Sequence, residues 1–301
     1  MEAIFFIFSS LYQSIINISV YFSIGIGLAT LIKVNGYDKY LQLLIAKRHH
    51  TSIPISVGTG SFTPLCSCGV IPVIAALLTA GVPLAPIMAF WITSPLMDPE
   101  SFILTIGLLG MEMAIARLVA TIFIGLTAGY LTLFFVKKGY LNNQILKLKT
   151  CGCETDKDTK NVISLSNKIR LYIRGFFSLS LFVGKFLILA FILEALIVLY
   201  IPMDWVPNVL GHSNPFGPVI AAFIGIPAYA SSYASMPIVR SMIDLGMDKG
   251  TALSFMIAGA ATSIPAMVAV YTLVKRKTFI LYISYSLVGA IISGYIFRLF
   301  L

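Results

Sequence analysis

Two thiols, Cys66 and Cys68, lie inside the run Thr63-Pro64-Leu65-Cys66-Ser67-Cys68-Gly69-Val70-Ile71-Pro72. Residues two apart on extended backbone project to the same side, so both sulfurs can address one atom. Thiolates prefer soft centres such as Cu(I), Zn(II) or a trivalent metalloid. A structural zinc site generally takes four ligands, and no His or carboxylate stands close by, so two thiols suit a centre with two exchangeable positions or an ion in transit. The plainer alternative is that each cysteine packs as a small apolar side chain.

Residues 53–80 around this pair contain no charged residue, which reads as membrane-embedded. Two prolines and a glycine prevent one unbroken helix through the run. Irregular backbone at membrane depth is tolerated only where it is buried in protein or lines a wet cavity.

A second interrupted stretch follows at Ala89-Phe90-Trp91-Ile92-Thr93-Ser94-Pro95-Leu96-Met97-Asp98-Pro99-Glu100. Pro95 and Pro99 are expected to break the helix and leave the Thr93 and Ser94 hydroxyls free to line a path. Asp98, between two prolines, is the stronger functional candidate, and Glu100 reads as an interfacial charge.

The whole chain has the matching composition. Of its 301 residues, 58% are hydrophobic and 11% charged, against about 25% charged in a soluble domain. Apolar runs at 4–32, 53–80, 84–110, 113–136, 176–201, 216–239, 252–274 and 279–300 approach or exceed the ~20 residues that cross a hydrocarbon layer. The fold class is all-α, a polytopic membrane protein with about eight hydrophobic segments. The first run lacks a basic n-region and is too long for a signal-peptide core, so it reads as a retained helix. The net charge of +9 is concentrated in a few loops and reports orientation rather than a nucleic-acid partner.

Shifting the chain against itself by 165 residues (237 − 72) aligns Pro72 with Pro237, Gly60 with Gly225, Gly81 with Gly246, Phe90 with Phe255, Ile92 with Ile257 and Gly129-Tyr130 with Gly294-Tyr295. Prolines, glycines and an aromatic in one register point to two repeats, 1–136 and 176–301, joined by a linker over 137–175. The linker carries Lys137, Lys138, Lys147, Lys149, Lys157, Lys160, Lys168, Arg170 and Arg174, which makes it cytoplasmic by the positive-inside rule. The segment 33–50 is basic, whereas its counterpart 198–215 has only Asp204 as a formal charge. Met111-Glu112 has no basic excess, whereas Lys275-Arg276-Lys277 is strongly basic. The halves therefore read as oppositely oriented, an arrangement that puts substrate sites at the repeat interface. Inversion needs an odd number of crossings per half, so one run in each should be re-entrant, best the pair at 53–80 and 216–239. Eight ordinary spans in parallel halves is the alternative, and it leaves the charge asymmetry unexplained.

The second half puts Ser231-Ser232-Tyr233 opposite the thiols and Ala258-Gly259-Ala260-Ala261-Thr262-Ser263-Ile264-Pro265 opposite the second break. The matched sites would then be hydroxyl-lined on one side and thiol-lined on the other. Cys151 and Cys153 lie in the polar linker beside Glu154, Asp156 and Asp158. They would either capture a soft ion from the cytosol or be incidental.

Glu194, in the fifth run, should face the bundle interior, since a carboxylate at mid-membrane costs about 2.5–3.5 kcal/mol on insertion scales. It is a candidate for ion coupling, and Lys185 is too distant along the helix to pair with it. Arg117 stands toward one end of its run, placed to snorkel. Arg240 and Asp244 have the spacing of a structural pair, and Gly125 and Gly129 that of a close helix contact. The chain has no phosphate-binding loop, no H-E-x-x-H and no G-x-S-x-G, which argues against ATP hydrolysis and against protease or esterase chemistry. The histidines, His49, His50 and His212, suggest no metal cage, so neither a cofactor nor a bound metal is expected.

The motifs Thr63–Pro72 and Ala89–Pro99 resemble those of the organoarsenical efflux permease (ArsP) family, and the resemblance extends over both repeats and the linker. It implies export of trivalent methylated or aromatic arsenicals with the Cys66/Cys68 thiols as binding groups. A singly organo-substituted As(III) has two exchangeable positions for two thiols to fill. The candidate binding set is Cys66, Cys68, Ser67, Pro64, Ser94 and Asp98, in a multi-pass protein of the cell membrane whose partners are the lipid bilayer and a metalloid. Two readings compete with it. One is a permease for another small solute or soft metal ion. The other is a membrane thiol oxidoreductase, which the C-x-C spacing disfavours because disulfide exchange favours C-x-x-C.

Overall fold

The computed structural model describes residues 49–63, 70–79, 82–140, 215–228 and 232–300. They are almost entirely helical, with no strand among the described residues. In chain order the helices are α1 His49–Phe62, α2 Val70–Thr79, α3 Leu84–Leu96, α4 Pro99–Leu109, α5 Met111–Lys137, α6 Gly217–Ala228, α7 Ser232–Asp244, α8 Lys249–Thr262, α9 Ile264–Leu273 and α10 Arg276–Phe300.

Their boundaries repeat at the 165-residue offset. Adding 165 to Leu84–Leu96 gives 249–261, and α8 is Lys249–Thr262; adding it to Pro99–Leu109 gives 264–274, and α9 is Ile264–Leu273. The packing follows the same register. Helix α3 lies on α1 and α5, and α8 lies on α6 and α10. Between the two series α4 packs on α7 and α9 on α2, while α3 meets α8 and α5 meets α10.

Among the described residues, α5 and α10 are individually long and apolar enough to cross a membrane. Their outer faces carry large exposed apolar side chains, including Ile115, Val119, Phe123 and Leu131 on α5 and Ile280, Val288, Ile292 and Ile296 on α10. Contiguous exposed apolar surface of this kind suits lipid rather than water. Lipid tails are as apolar as leucine, so helices in this setting associate through close packing and hydrogen bonds. Small residues supply it here. A Cβ at Gly125 would collide with the Thr93 hydroxyl, and one at Gly129 with Ile53 and Ala89, so the G-x-x-x-G pair seats α5 against α3 and α1. Gly294 meets Ser254 in the second series, and Ser254 is Ala89 displaced by 165.

End-to-end contacts fix the relative direction of the two long helices. Lys277, at the start of α10, lies 5.7 Å over the Tyr140 ring, just beyond the end of α5. At the opposite end Arg298 of α10 approaches Asp248 at 4.0 Å, and the neighbouring Lys249 pairs with Glu112 of α5 at 3.0 Å. Helices α5 and α10 are therefore antiparallel.

Two runs that look continuous in hydropathy are divided. The run 84–110 separates into α3 and α4, and 252–274 falls across α8 and α9, where Lys249–Thr262 and Ala266–Leu273 are bent by 43°. Pro95 does not end α3, which continues to Leu96. The chain breaks at Met97 and Asp98, and Pro99 opens α4, where its missing N–H is no loss.

Candidate functional site

The described part of the site is built around the two breaks. At the first, Asp98 is the N-cap of α4. Its Oδ1 accepts from the Ser101 backbone N–H and from the Ser101 hydroxyl, each at 2.6 Å. Ser101 Oγ in turn faces the Asp98 N–H, a reciprocal cap that satisfies the first turn after the break. Asp98 thus has a structural duty, with both bonds on one carboxylate oxygen. Ser94 is fully buried in the last turn of α3. The expectation that Thr93 is left free by a break at Pro95 is corrected: the helix runs on, and Thr93 Oγ1 donates to Ala89 O at 2.7 Å.

Arg117 is the residue that sequence reasoning placed wrongly. It is fully buried on α5 rather than snorkelling to the interface. Its Nε donates to Leu96 O at 3.1 Å, the carbonyl at which α3 ends, and its Nη1 donates to Thr105 Oγ1 of α4 at 3.1 Å. Thr105 passes the chain on by donating to Ser101 O at 2.6 Å, and it also faces Met236 Sδ of α7 at 3.9 Å. Among the described residues, Nη2 of Arg117 is buried without a partner and no acidic side chain pairs with the guanidinium. Arginine at membrane depth costs about 2.5–3.5 kcal/mol on insertion scales, and two hydrogen bonds to neutral oxygens offset this without supplying a counter-charge. The sequence held a signal for this placement. Ala114, Arg117, Thr121, Ile124, Gly125 and Ala128 recur at three- and four-residue spacing, the stripe of small and polar residues that α5 buries.

The second break carries the matching interaction with different chemistry. Tyr282 of α10 donates its hydroxyl to Ala261 O at 2.5 Å, near the end of α8. Tyr282 is Arg117 displaced by 165, and Ala261 is Leu96 displaced by 165. The Tyr282 ring also lies 5.0 Å, centroid to centroid, from Trp91 of α3, so it joins the two series. Ser263, aligned with Asp98, is the N-cap of α9 but makes no side-chain cap.

The thiol motif begins where α1 ends and finishes as α2 starts. Both flanking helices pack on α3. A Cβ at Gly60 would lie 3.1 Å from Phe90 O and 3.2 Å from Thr93 Cβ, so the end of α1 is held against the part of α3 that leads into Ser94. Gly225 holds α6 in the same way, 2.8 Å from Phe255 O by the same measure, just before Ser231-Ser232-Tyr233. Pro64, Cys66, Ser67, Cys68, Cys151, Cys153, Glu194 and Ser231 lie outside the described residues. Arg240 and Asp244 form the expected exposed pair at 3.1 Å, and Arg240 Nη1 also donates to Leu108 O.

A profile of the family described as "Predicted permease" (ArsP_1) matches residues 2–299. The chain belongs to this permease family. A UPF0718 protein of Methanocaldococcus jannaschii, MJ0584, is 20% identical over 322 aligned residues, covering 90% of the permease and 87% of the relative. The UPF0718 protein YcgR of Bacillus subtilis is 22% identical over 271 residues, covering 88% and 87% respectively. No solved structure matches. Membership and the apolar helices make this a membrane permease, a transporter in class.

Proposed function

We propose that the permease is a secondary efflux transporter of trivalent organoarsenicals such as methylarsenite. Cys66 and Cys68 would serve as the arsenic ligands, in a chain of two inverted halves. The observation that carries the transport mechanism is the pairing of the breaks. Leu96 O and Ala261 O, 165 residues apart, are each held by a side chain from a long helix, and those long helices are antiparallel. Two oppositely oriented units that meet through broken helices provide a site that can be opened to either side by rocking one unit against the other.

The cargo assignment is supported by the C-x-C pair in a charge-free run, with hydroxyl-bearing Ser231-Ser232-Tyr233 at the matched position. Two thiols displace the two hydroxyls of R-As(OH)2, forming two As–S bonds and releasing two waters. Return of water on the outer side reverses both exchanges. Ser67, Pro64, Ser94 and Asp98 complete the lining, Glu194 couples export to an ion gradient, and Cys151/Cys153 in the cytoplasmic linker provide a capture pair. Expression in arsenical-sensitive cells tests the assignment: growth in methylarsenite should be restored and intracellular arsenic lowered. Unchanged intracellular arsenic at matched expression would exclude organoarsenical export and favour another solute.

A further inference from the structure

Arg117 has no task in that exchange chemistry, since thiol–hydroxyl exchange at As(III) needs no fixed cation. Yet the chain keeps a guanidinium fully buried at the meeting of α3, α4 and α5, with Nε and Nη1 bonded and Nη2 without a partner among the described residues. The two bonds made go to a carbonyl and a hydroxyl, neutral oxygens that orient the planar head group without cancelling its charge. The aligned residue of the other half, Tyr282, holds its own break with an uncharged hydroxyl, so a cation is not required to secure a break of this type. The head group is also near the other half, because Thr105, its Nη1 partner, faces Met236 of α7.

We propose that Arg117 is an anion subsite of the transport path, taking a carboxylate or oxyanion oxygen of the cargo on Nη2. A guanidinium edge offers such an oxygen a short charge-assisted bond, stronger than one between neutral groups. The head group is closed from the surface here, so an anion reaches it only when the helices packed around it open. A fixed positive charge at this point also repels cationic metal species, so the subsite selects acids over free soft cations. The proposal rests on the permease reading and does not depend on arsenic being the cargo.

The test compares phenylarsenite with 4-carboxyphenylarsenite in energised everted vesicles carrying wild type, Arg117→Met or Arg117→Lys. Wild type should half-saturate at a concentration about tenfold lower for the carboxylated probe, the scale of one hydrogen bond to a charged group. Arg117→Met should lose that preference, while Arg117→Lys should keep part of it. A preference retained in Arg117→Met, or absent in wild type that transports both probes, would overturn the subsite.

A second measurement uses purified wild type alone, which covers the case in which the variants do not fold. Modification of Arg117 by 2,3-butanedione, followed by mass spectrometry, should be slowed several-fold by benzoate and left unchanged by benzamide. Equal rates would contradict the proposal. Vesicles that transport neither arsenical would defeat the arsenical assignment, while the benzoate comparison would still decide the subsite.

Discussion

Arg117 and Tyr282 perform one structural act with different chemistry: each reaches from a long helix to the carbonyl that closes a broken one, Leu96 O at 3.1 Å and Ala261 O at 2.5 Å. Breaking a helix inside a membrane frees carbonyls that lipid cannot satisfy. The fold answers with a side chain carried to the break by the neighbouring helix. The two contacts, 165 residues apart, are thus alike in construction and unlike in charge.

Removing the hydroxyl of Tyr282 should therefore cost more than its size suggests. Tyr282→Phe keeps the ring against Trp91 but leaves the buried Ala261 carbonyl without this donor, a loss of about 1–3 kcal/mol. Thermal unfolding of the purified protein in detergent should show a lowered midpoint. An unchanged midpoint would mean the carbonyl finds another donor and the bond is not needed to hold the break.

Asp98 separates capping from cargo handling. Asp98→Ala should destabilise by about 0.5–2 kcal/mol through loss of the cap. Asp98→Asn retains a capping oxygen and should leave stability nearly unchanged. Transport by the asparagine variant should nonetheless fall if the carboxylate serves cargo or ion. Full transport with Asn, alongside a defect with Ala, would confine Asp98 to its cap.

The α3–α5 contact depends on the missing side chain at Gly125. Gly125→Ala should destabilise by about 1–3 kcal/mol as overpacking against Thr93. Combining it with Thr93→Ala should recover part of the loss, giving a coupling of about 0.5–3 kcal/mol in a double-mutant cycle. Strict additivity would show that the two residues do not meet.

Orientation follows from the ends of the long helices. Cysteines engineered at Glu112 and Lys249 should react with an impermeant maleimide from the same side of the membrane, because those residues pair at 3.0 Å. Cysteines at Tyr140 and Lys277 should react from the opposite side. Labelling of positions 112 and 277 from one side would rule out antiparallel α5 and α10.

Much of this architecture is legible in the chain because the residues that reveal the offset are those that make the tightest contacts. Gly60 and Gly225 align since each must admit the backbone of a crossing helix at Phe90 or Phe255, and a side chain there would separate the helices. Pro95 misled because proline signals a lost N–H, while the actual break depends on where capping is available. Asp98 and Ser101 supply that two residues beyond Leu96. Arg117 was misplaced because a hydropathy run measures distance from its own end. The arginine's depth is set instead by α3 and α4 folding over α5, which its place on the small and polar stripe of that helix signals and mean hydropathy along the run does not.

The most direct test of the central claim is energy-dependent uptake of methylarsenite into everted membrane vesicles, comparing wild type with Cys66→Ser and Cys68→Ser at equal protein levels. Wild type should accumulate methylarsenite when energised and release it when an ionophore collapses the gradient, and each serine variant should lose most of that accumulation. Undiminished accumulation in both variants would remove the thiols from the mechanism, and no energised accumulation by wild type would contradict organoarsenical efflux itself.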